Sequence, residues 1–373
     1  MQKIKKGEAM YSELFYRLAL GYQEHYTPAV IKKLLQRFCS ATDIFENFRW
    51  KLKPEIAKRV AAPVVTDTIR RYVDRELELM AKNGIGYCFY TDENFPKRLR
   101  ACSDSPCQFF FKGNAQFNYE KSVAVVGTRN ATTYGMECVK HVVDGLRQSN
   151  AVIISGLALG IDSEAHGQAL ACGLTTVAVM GTGFKRIYPS SNLQLAERIL
   201  DSGGALISEY QYDTKPDRQN FPRRNRIIAG LADTTVVVET ASKGGSMITA
   251  YIAHSYNRDV FAVPGNIFQK KHDGCHELIR KNIAAIVTSG EDIIEMMNWD
   301  TPPQKTRQTE LFTQLSDDES YITNYIKSNK EVSIDEIMEF AHSLSTSKIN
   351  ALLLGLEFKN VIERKPGKIY VCV

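Results

Sequence analysis

Three stretches of the sequence combine small residues with cations in a way suited to holding anions. In VAVVGTRNATTYG, Gly127 closes a valine-rich run, Thr128 and Arg129 follow, and Thr132-Thr133 offers a helix start. A glycine-ended strand opening into a helix N-terminus presents unpaired backbone N–H groups and the positive end of a dipole, which together make a phosphate seat. On this loop alone, an ordinary strand–helix turn with an exposed arginine is an equal alternative. The second stretch, KPDRQNFPRRNR, carries Lys215, Arg218, Arg223, Arg224 and Arg226 against Asp217, a local net charge of +4 (five minus one). Phe221 and Asn225 lie among these cations. An aromatic ring in a basic groove stacks a base while the cations follow the backbone, the usual arrangement for single strands. The competing reading anchors Phe221 in the core and leaves the arginines as a solvated face. In the third stretch, ETASKGGSMITA, Gly244, Gly245 and Ser246 precede a helix and permit close backbone approach to an anion.

Other chemistry is poorly supplied. Neither G-x-G-x-x-G nor G-x-x-x-x-G-K-[ST] occurs, so a dinucleotide or P-loop ATP site has no support. Asp162 and His166 stand four apart at a helix start, where Asp is more simply an N-cap and His a packed partner; no activated nucleophile accompanies them, and no catalytic residue is assigned. His272, Cys275 and His276 fall short of the four paired ligands of a structural zinc, and neither metal nor cofactor is expected. The eight cysteines include no C-x-x-C pair and read as reduced thiols.

The elements that must position these loops follow from periodicity. VAVVG, AVIIS, TTVAVMG, ALISE, TTVVVE, DVFAVPG and AAIVTS read as short strands alternating with helical segments. That alternation predicts an α/β, doubly wound, Rossmann-like and mostly parallel sheet over 75–298, with ligands at the carboxyl ends of the strands. Before it, residues 1–74 have apolar positions at helical spacing, with starts at Thr27-Pro28 and Ala41-Thr42-Asp43, and read as a small helical domain. Residues 299–316, rich in proline and polar residues, read as a linker. Residues 317–373 offer three helical stretches and two extended runs around Pro366-Gly367, the outline of a winged helix.

A chain of 373 residues exceeds a single core, and 44% hydrophobic with 24% charged residues is the composition of a folded, soluble protein. No apolar run approaches the ~20 residues of a membrane span. Glu13 and Arg17 interrupt the segment after the cationic N-terminus, so no signal core is read and the expected location is the cytoplasm.

Taken in order, VAVVGTR, ISGLALGIDSEAHGQAL, VAVMGTGFKRIYPSSN, ISEY, NFPRRNRIIAGL, VVVE, GGSMITA and VFAVPGN with GCHELI resemble the DNA-processing protein A (DprA, or Smf) family across nearly the full chain. The resemblance implies a SAM-like (helix-hairpin-helix-like) N-terminal module, the Rossmann-like domain and a C-terminal winged helix. It implies sequence-independent binding of single-stranded DNA, pairing with itself through the Rossmann-like domain, and loading of RecA onto incoming strands in natural transformation or recombination. Carried over, Arg129 holds a phosphate beside Gly127 and Thr128, Lys215 and Arg224 line the same groove, and Phe221 sits by a base. Arg224 is expected on the surface, so that Arg224→Glu removes binding and spares the fold.

The main rival is a nucleotide-hydrolysing enzyme of the lysine-decarboxylase-like group, which shares P-G-G-x-G-T-x-x-E. Here the matching run, Lys243 to Tyr251, lacks the acid. A second rival is a protein scaffold whose basic loop is only solvated surface. From Asp317 to Val373 there are seven cations and nine acids, net −2, so the tail is expected to serve packing or protein contacts rather than duplex reading.

Overall fold

The structure is a computed structural model that describes residues 11–23, 25–51, 61–299, 315–329, 331–359, 361–365 and 369–372. Among these, the chain forms two compact units, Met1–Asp300 and Thr301–Val373.

In the first unit nine strands make one sheet: β1 (Gly86–Phe89), β2 (Gln108–Gly113), β3 (Ser122–Val126), β4 (Val152–Ser155), β5 (Thr176–Met180), β6 (Ala205–Ser208), β7 (Thr234–Val237), β8 (Asp259–Ala262) and β9 (Ala285–Ile286), in the order β1-β2-β6-β5-β4-β3-β7-β8-β9. All seven runs expected to be strands are strands, and they are mutually parallel from β6 to β9; β1 and β2 add an antiparallel extension at the β6 edge. The chain steps outward from β3 to β6, then returns to place β7 on the other side of β3. The cleft between β3 and β7 is therefore the switch point at which an open α/β sheet binds ligands.

Parallel strands covered on both faces need apolar residues on both, and the strands supply them. Val123 and Val125 point into one layer, Ala124 and Val126 into the other. Helices α1 (Glu13–Gly21), α2 (Pro28–Leu35), α3 (Ala41–Lys51) and α4 (Asp67–Asn83) precede the sheet. They are followed by α5 (Thr133–Gly145), α6 (Ile161–Ala171), α7 (Leu193–Asp201), α8 (Asn220–Leu231), α9 (Gly245–Ser255), α10 (Asp273–Arg280) and α11 (Gly290–Met296). Residues of α5, α6 and α11 pack with Val123 and Val125, and residues of α8, α9 and α10 with Ala124 and Val126.

The expected helix starts are present: the Thr27 side chain caps α2 with Pro28 at its first position, and α3 opens at Ala41. Residue 74, where the helical domain is expected to end, lies inside α4; the helices before it close a cluster of their own around Ile31, Leu34, Phe38 and Ile44 and share a second one with the sheet edge. Phe15, Leu18 and Val73 bury with Ile85 and Phe110 of the sheet edge. The expected linker 299–316 lies almost wholly outside the described residues. In the second unit α12 (Asp317–Asn329), α13 (Ile334–Phe340) and α14 (Thr346–Phe358) pack with a three-stranded sheet of β10 (Val332–Ser333), β11 (Ile362–Lys365) and β12 (Ile369–Cys372). Pro366 and Gly367, between the two expected extended runs, are outside the described residues. Among the described residues no helix is long and apolar enough to cross a membrane.

His166 on α6 is fully buried, with Nδ1 2.6 Å from the Thr176 hydroxyl. That hydroxyl gives its proton to Ile153 O at 2.8 Å, so it accepts from Nδ1–H and the imidazole is held neutral. Burial, with a smaller push from the Arg224 charge, lowers the His166 pKa to about 3. The unfolded chain takes up this proton near pH 6.5 and the folded chain only near 3, so stability is lost as pH falls between these values. Urea unfolding followed by circular dichroism should show that decline, and His166→Gln should make it shallower across that window.

Candidate functional site

The loops that leave the carboxyl ends of β3 to β7 enclose a cleft of about 490 Å³. Gly127 and Arg129 come from the loop after β3, Asp162 from the first turn of α6, which follows β4, and Tyr188 from the loop after β5. Phe221, Arg224 and Asn225 come from α8, and Gly245 and Ser246 from the start of α9. The three anion-suited loops thus converge on one cleft at the switch point.

The arginine loop is clamped at both ends. Thr128 N donates to Glu239 O at 2.8 Å, and Thr128 O accepts from Ile161 N at 3.2 Å. Glu239, two residues past β7, has a left-handed backbone (φ 64°), and its buried carboxylate accepts from Thr132 N at 2.8 Å and from the Thr132 hydroxyl at 3.2 Å. Thr132 in turn caps α5. One glutamate therefore fixes the residues on either side of Arg129, while Arg129 itself is exposed. A left-handed conformation at a residue other than glycine costs free energy and persists only where its surroundings over-determine it, as here.

Phe221 lies in the first turn of α8, followed by Pro222, a place where a missing backbone N–H costs nothing. The Arg129 guanidinium carbon sits 5.1 Å from the Phe221 ring centroid, and the Tyr188 ring lies 5.5 Å away on an interplanar angle of 36°. A Cβ on Gly181 would come within 2.7 Å of Phe221, so glycine there gives the ring its room. The result is a cation and two aromatic rings at the mouth of the cleft.

Arg224 is the deepest cation. Only 4% exposed, its guanidinium donates to Gly156 O and Val179 O, joining the ends of β4 and β5. A Cβ at Gly156 would lie 2.6 Å from both Arg224 Nη2 and Asp162 Oδ2, which places the two charges as close neighbours. Burial lowers the Arg224 pKa to about 10, so it stays charged at neutral pH, and burial raises that of Asp162 against the pull of Arg224. The expectation of a surface arginine is corrected: Arg224 lines the cleft from within the fold, so replacing it disturbs packing.

Other expected site residues separate here. Arg226 turns away to Glu209 at 2.5 Å and to Asp104 O, with 15% of its side chain exposed. Lys215 borders a different depression with Lys185 and Arg186, and Arg223 is exposed outside the cleft. Neither Lys215, Arg223 nor Arg226 joins Arg129 and Phe221 in lining the cleft. Asn225 Nδ2 donates to Gly245 O at 3.4 Å, and Gly244 is the N-cap of α9, so the third loop is fixed to the second. Tyr188 and Asp162 line the cleft without having been expected there, and Arg218, read as one cation of the basic run, lines it too. Asp162 is not the N-cap, which is Gly160; its carboxylate accepts from Ala158 N at 3.3 Å. His272, Cys275 and His276 are engaged within the protein, with the Cys275 thiol pushed up to about 12 by burial. No group of three or more metal-binding side chains occurs among the described residues.

The model of the family described as DNA recombination-mediator protein A matches residues 86–298, more than half of the chain. The chain belongs to this family. Its relatives carry the names DprA or Smf. DprA of Bacillus subtilis is 38% identical over 239 residues, 64% of this chain and 78% of that protein. DprA of Streptococcus pneumoniae is 42% identical over 203 residues, 54% and 71% of the two chains. The X-ray structure of Streptococcus pneumoniae DprA matches with a TM-score of 0.63 at 33% identity, covering 76% of this chain and 97% of that one. A structure of DprA from Helicobacter pylori, described for its single-stranded DNA binding mode, matches with a TM-score of 0.52 at 30% identity, covering 57% and 96%. The cleft of this DprA-family chain is built wholly from the matched segment.

The two arginines should separate in a stability measurement. Arg224→Ala leaves Asp162 buried beside no cation and should cost about 3–5 kcal/mol in urea unfolding. Arg129→Ala, at an exposed position, should stay within about 0.5 kcal/mol.

Proposed function

We propose that this protein binds single-stranded DNA without sequence preference and delivers it to RecA, acting as a homodimer through the Rossmann-like domain in the cytoplasm during natural transformation or recombination. The observation that carries the reading is the Arg129 guanidinium over the Phe221 ring at the cleft mouth. A cation there takes a phosphate while the half-buried Phe221 ring and the exposed Tyr188 ring offer a base a surface to stack on, and every base has a face to stack. The N-terminus of α9 adds Gly245 and Ser246, whose position suits a second phosphate. The Helicobacter pylori relative supports the same ligand.

A catalytic role has less to stand on. The Ser246 hydroxyl donates to Thr240 at 2.7 Å, and the position of the acid in the nucleotide-hydrolysing group is Tyr251, whose hydroxyl faces Glu277 at 3.2 Å. We read the second unit as a winged helix that serves packing or protein contacts. Lys348, at the start of the helix that would enter a groove, pairs with Asp318 at 2.6 Å, and Lys359 pairs with Glu319 at 2.7 Å, which leaves fewer cations for phosphates. We read the helices α1 to α3 as the SAM-like module.

Anisotropy of a labelled oligo-dT and of its duplex should give tighter binding to the single strand, with no metal or nucleotide required. The logarithm of affinity should fall with that of salt by about 0.7 for each phosphate neutralised. Phe221→Ala should weaken binding by roughly 1–3 kcal/mol with an unchanged salt slope, and Arg129→Ala should reduce the slope. Absence of binding at low salt would remove the reading. RecA-dependent strand exchange on strands coated by a competing binding protein, with and without this protein, tests delivery.

A further inference from the structure

Beyond β8 the chain forms a loop, Val263 to Gln269, whose backbone is held at several points. The Tyr134 hydroxyl donates to Pro264 O at 2.7 Å, and His276 Nε2 to Gly265 O at 3.0 Å. Phe268 N donates to the Asn266 side-chain oxygen at 2.9 Å, and Gln269 N to Asn266 O at 3.1 Å. These bonds leave Ile267 and Phe268 at the tip, 72% and 89% exposed. A single exposed apolar residue needs no explanation, but two adjacent large ones held outward by an ordered loop gain nothing from folding and point to a ligand.

The surroundings say which ligand. Lys271, in the turn just after the loop, donates from Nζ to Asn130 O at 2.7 Å, which ties the end of the loop to the residue that follows Arg129. Lys270 is exposed between Phe268 and that contact. Read back along the chain from the contact with Asn130, Lys271 is followed by Lys270 and then, two residues further, by the exposed Phe268 ring. This repeats the order of charge and ring found at Arg129 and Phe221. A protein partner would be served by the apolar tip alone; the flanking lysines and the contact with the arginine loop favour a polyanion that carries aromatic bases.

We propose that Ile267 and Phe268 form a second stacking platform for the same single strand, taking a base a few nucleotides away from the one at Phe221, with Lys270 and Lys271 on the intervening phosphates. The proposal rests on the single-strand reading above. It extends the binding site from the switch point across the loop that follows β8, so that a short strand fills the cleft and only a longer one reaches the platform.

The test uses the full-length protein and labelled oligo-dT of about 4 and about 16 nucleotides, the range of site sizes usual for one binding module. Phe268→Ala should weaken binding of the long strand about fivefold or more and leave the short strand unchanged. The salt slope should be unaltered, since the ring carries no charge. Phe268→Trp should restore long-strand affinity, and Lys270→Ala should lower the slope for the long strand only. Equal affinity of Phe268→Ala and the unsubstituted protein for the long strand would overturn the proposal, as would an equal loss for both lengths. A shift of oligomeric state by size exclusion with DNA affinity intact would overturn it by making the tip a protein contact. If the unsubstituted protein binds neither oligonucleotide, the single-strand reading itself fails, a result distinct from failure of the platform alone.

Discussion

The carboxyl edge of the sheet is organised around one charge with almost no access to water. Arg224 reaches from α8 to the carbonyls that end β4 and β5, and Asp162 lies beside it to balance the charge. An isolated buried guanidinium is costly, so this arrangement holds only while the carbonyls and the carboxylate are all in place. Fixing Arg224 also fixes α8, and α8 carries Phe221 and Asn225. The ring at the cleft mouth and the tie to the α9 turn are therefore downstream of a contact made inside the fold. His166 feels the same charge, which adds to the burial that keeps it neutral.

Much of this was legible from residue types. Parallel strands buried on both faces read as uninterrupted β-branched runs, and each of those runs is a strand; the glycine-ended turns mark the loops at the sheet edge. Side-chain direction was the harder part. A charged run gives local charge, while a helix turns each successive residue to a new side. Within NFPRRNRIIAGL, Arg224 lies three before Ile227 and four before Ile228, both buried, and that spacing is the signal that Arg224 shares their face. Arg226 falls on another side and meets Glu209, a partner remote enough in sequence to leave no pattern. Tyr188 was not singled out although its loop, GFKRIYPSSN, is among the segments that resemble the family; only the strand order brings it against Phe221.

Glu239 is a comparable case. Its side chain reads as the polar end of a strand, yet its carbonyl and its carboxylate secure the two ends of the arginine loop. Nothing in the spacing between residues 128 and 239 announces this, since β3 and β7 are brought side by side by the return of the chain past three intervening strands. The parts missed by inspection of the sequence are those that depend on that return.

The division of labour within the basic stretch has an evolutionary consequence. Arg224 and Arg226 are committed to internal partners, whereas Lys215, Arg218 and Arg223 are exposed. Exchange among lysine, arginine and neutral residues at the three outer positions can adjust attraction to polyanions in small steps with little effect on folding. The inner pair is locked, because a change at either position removes the partner of a shielded acid. The charge of this stretch can therefore change at its outer positions without disturbing the fold.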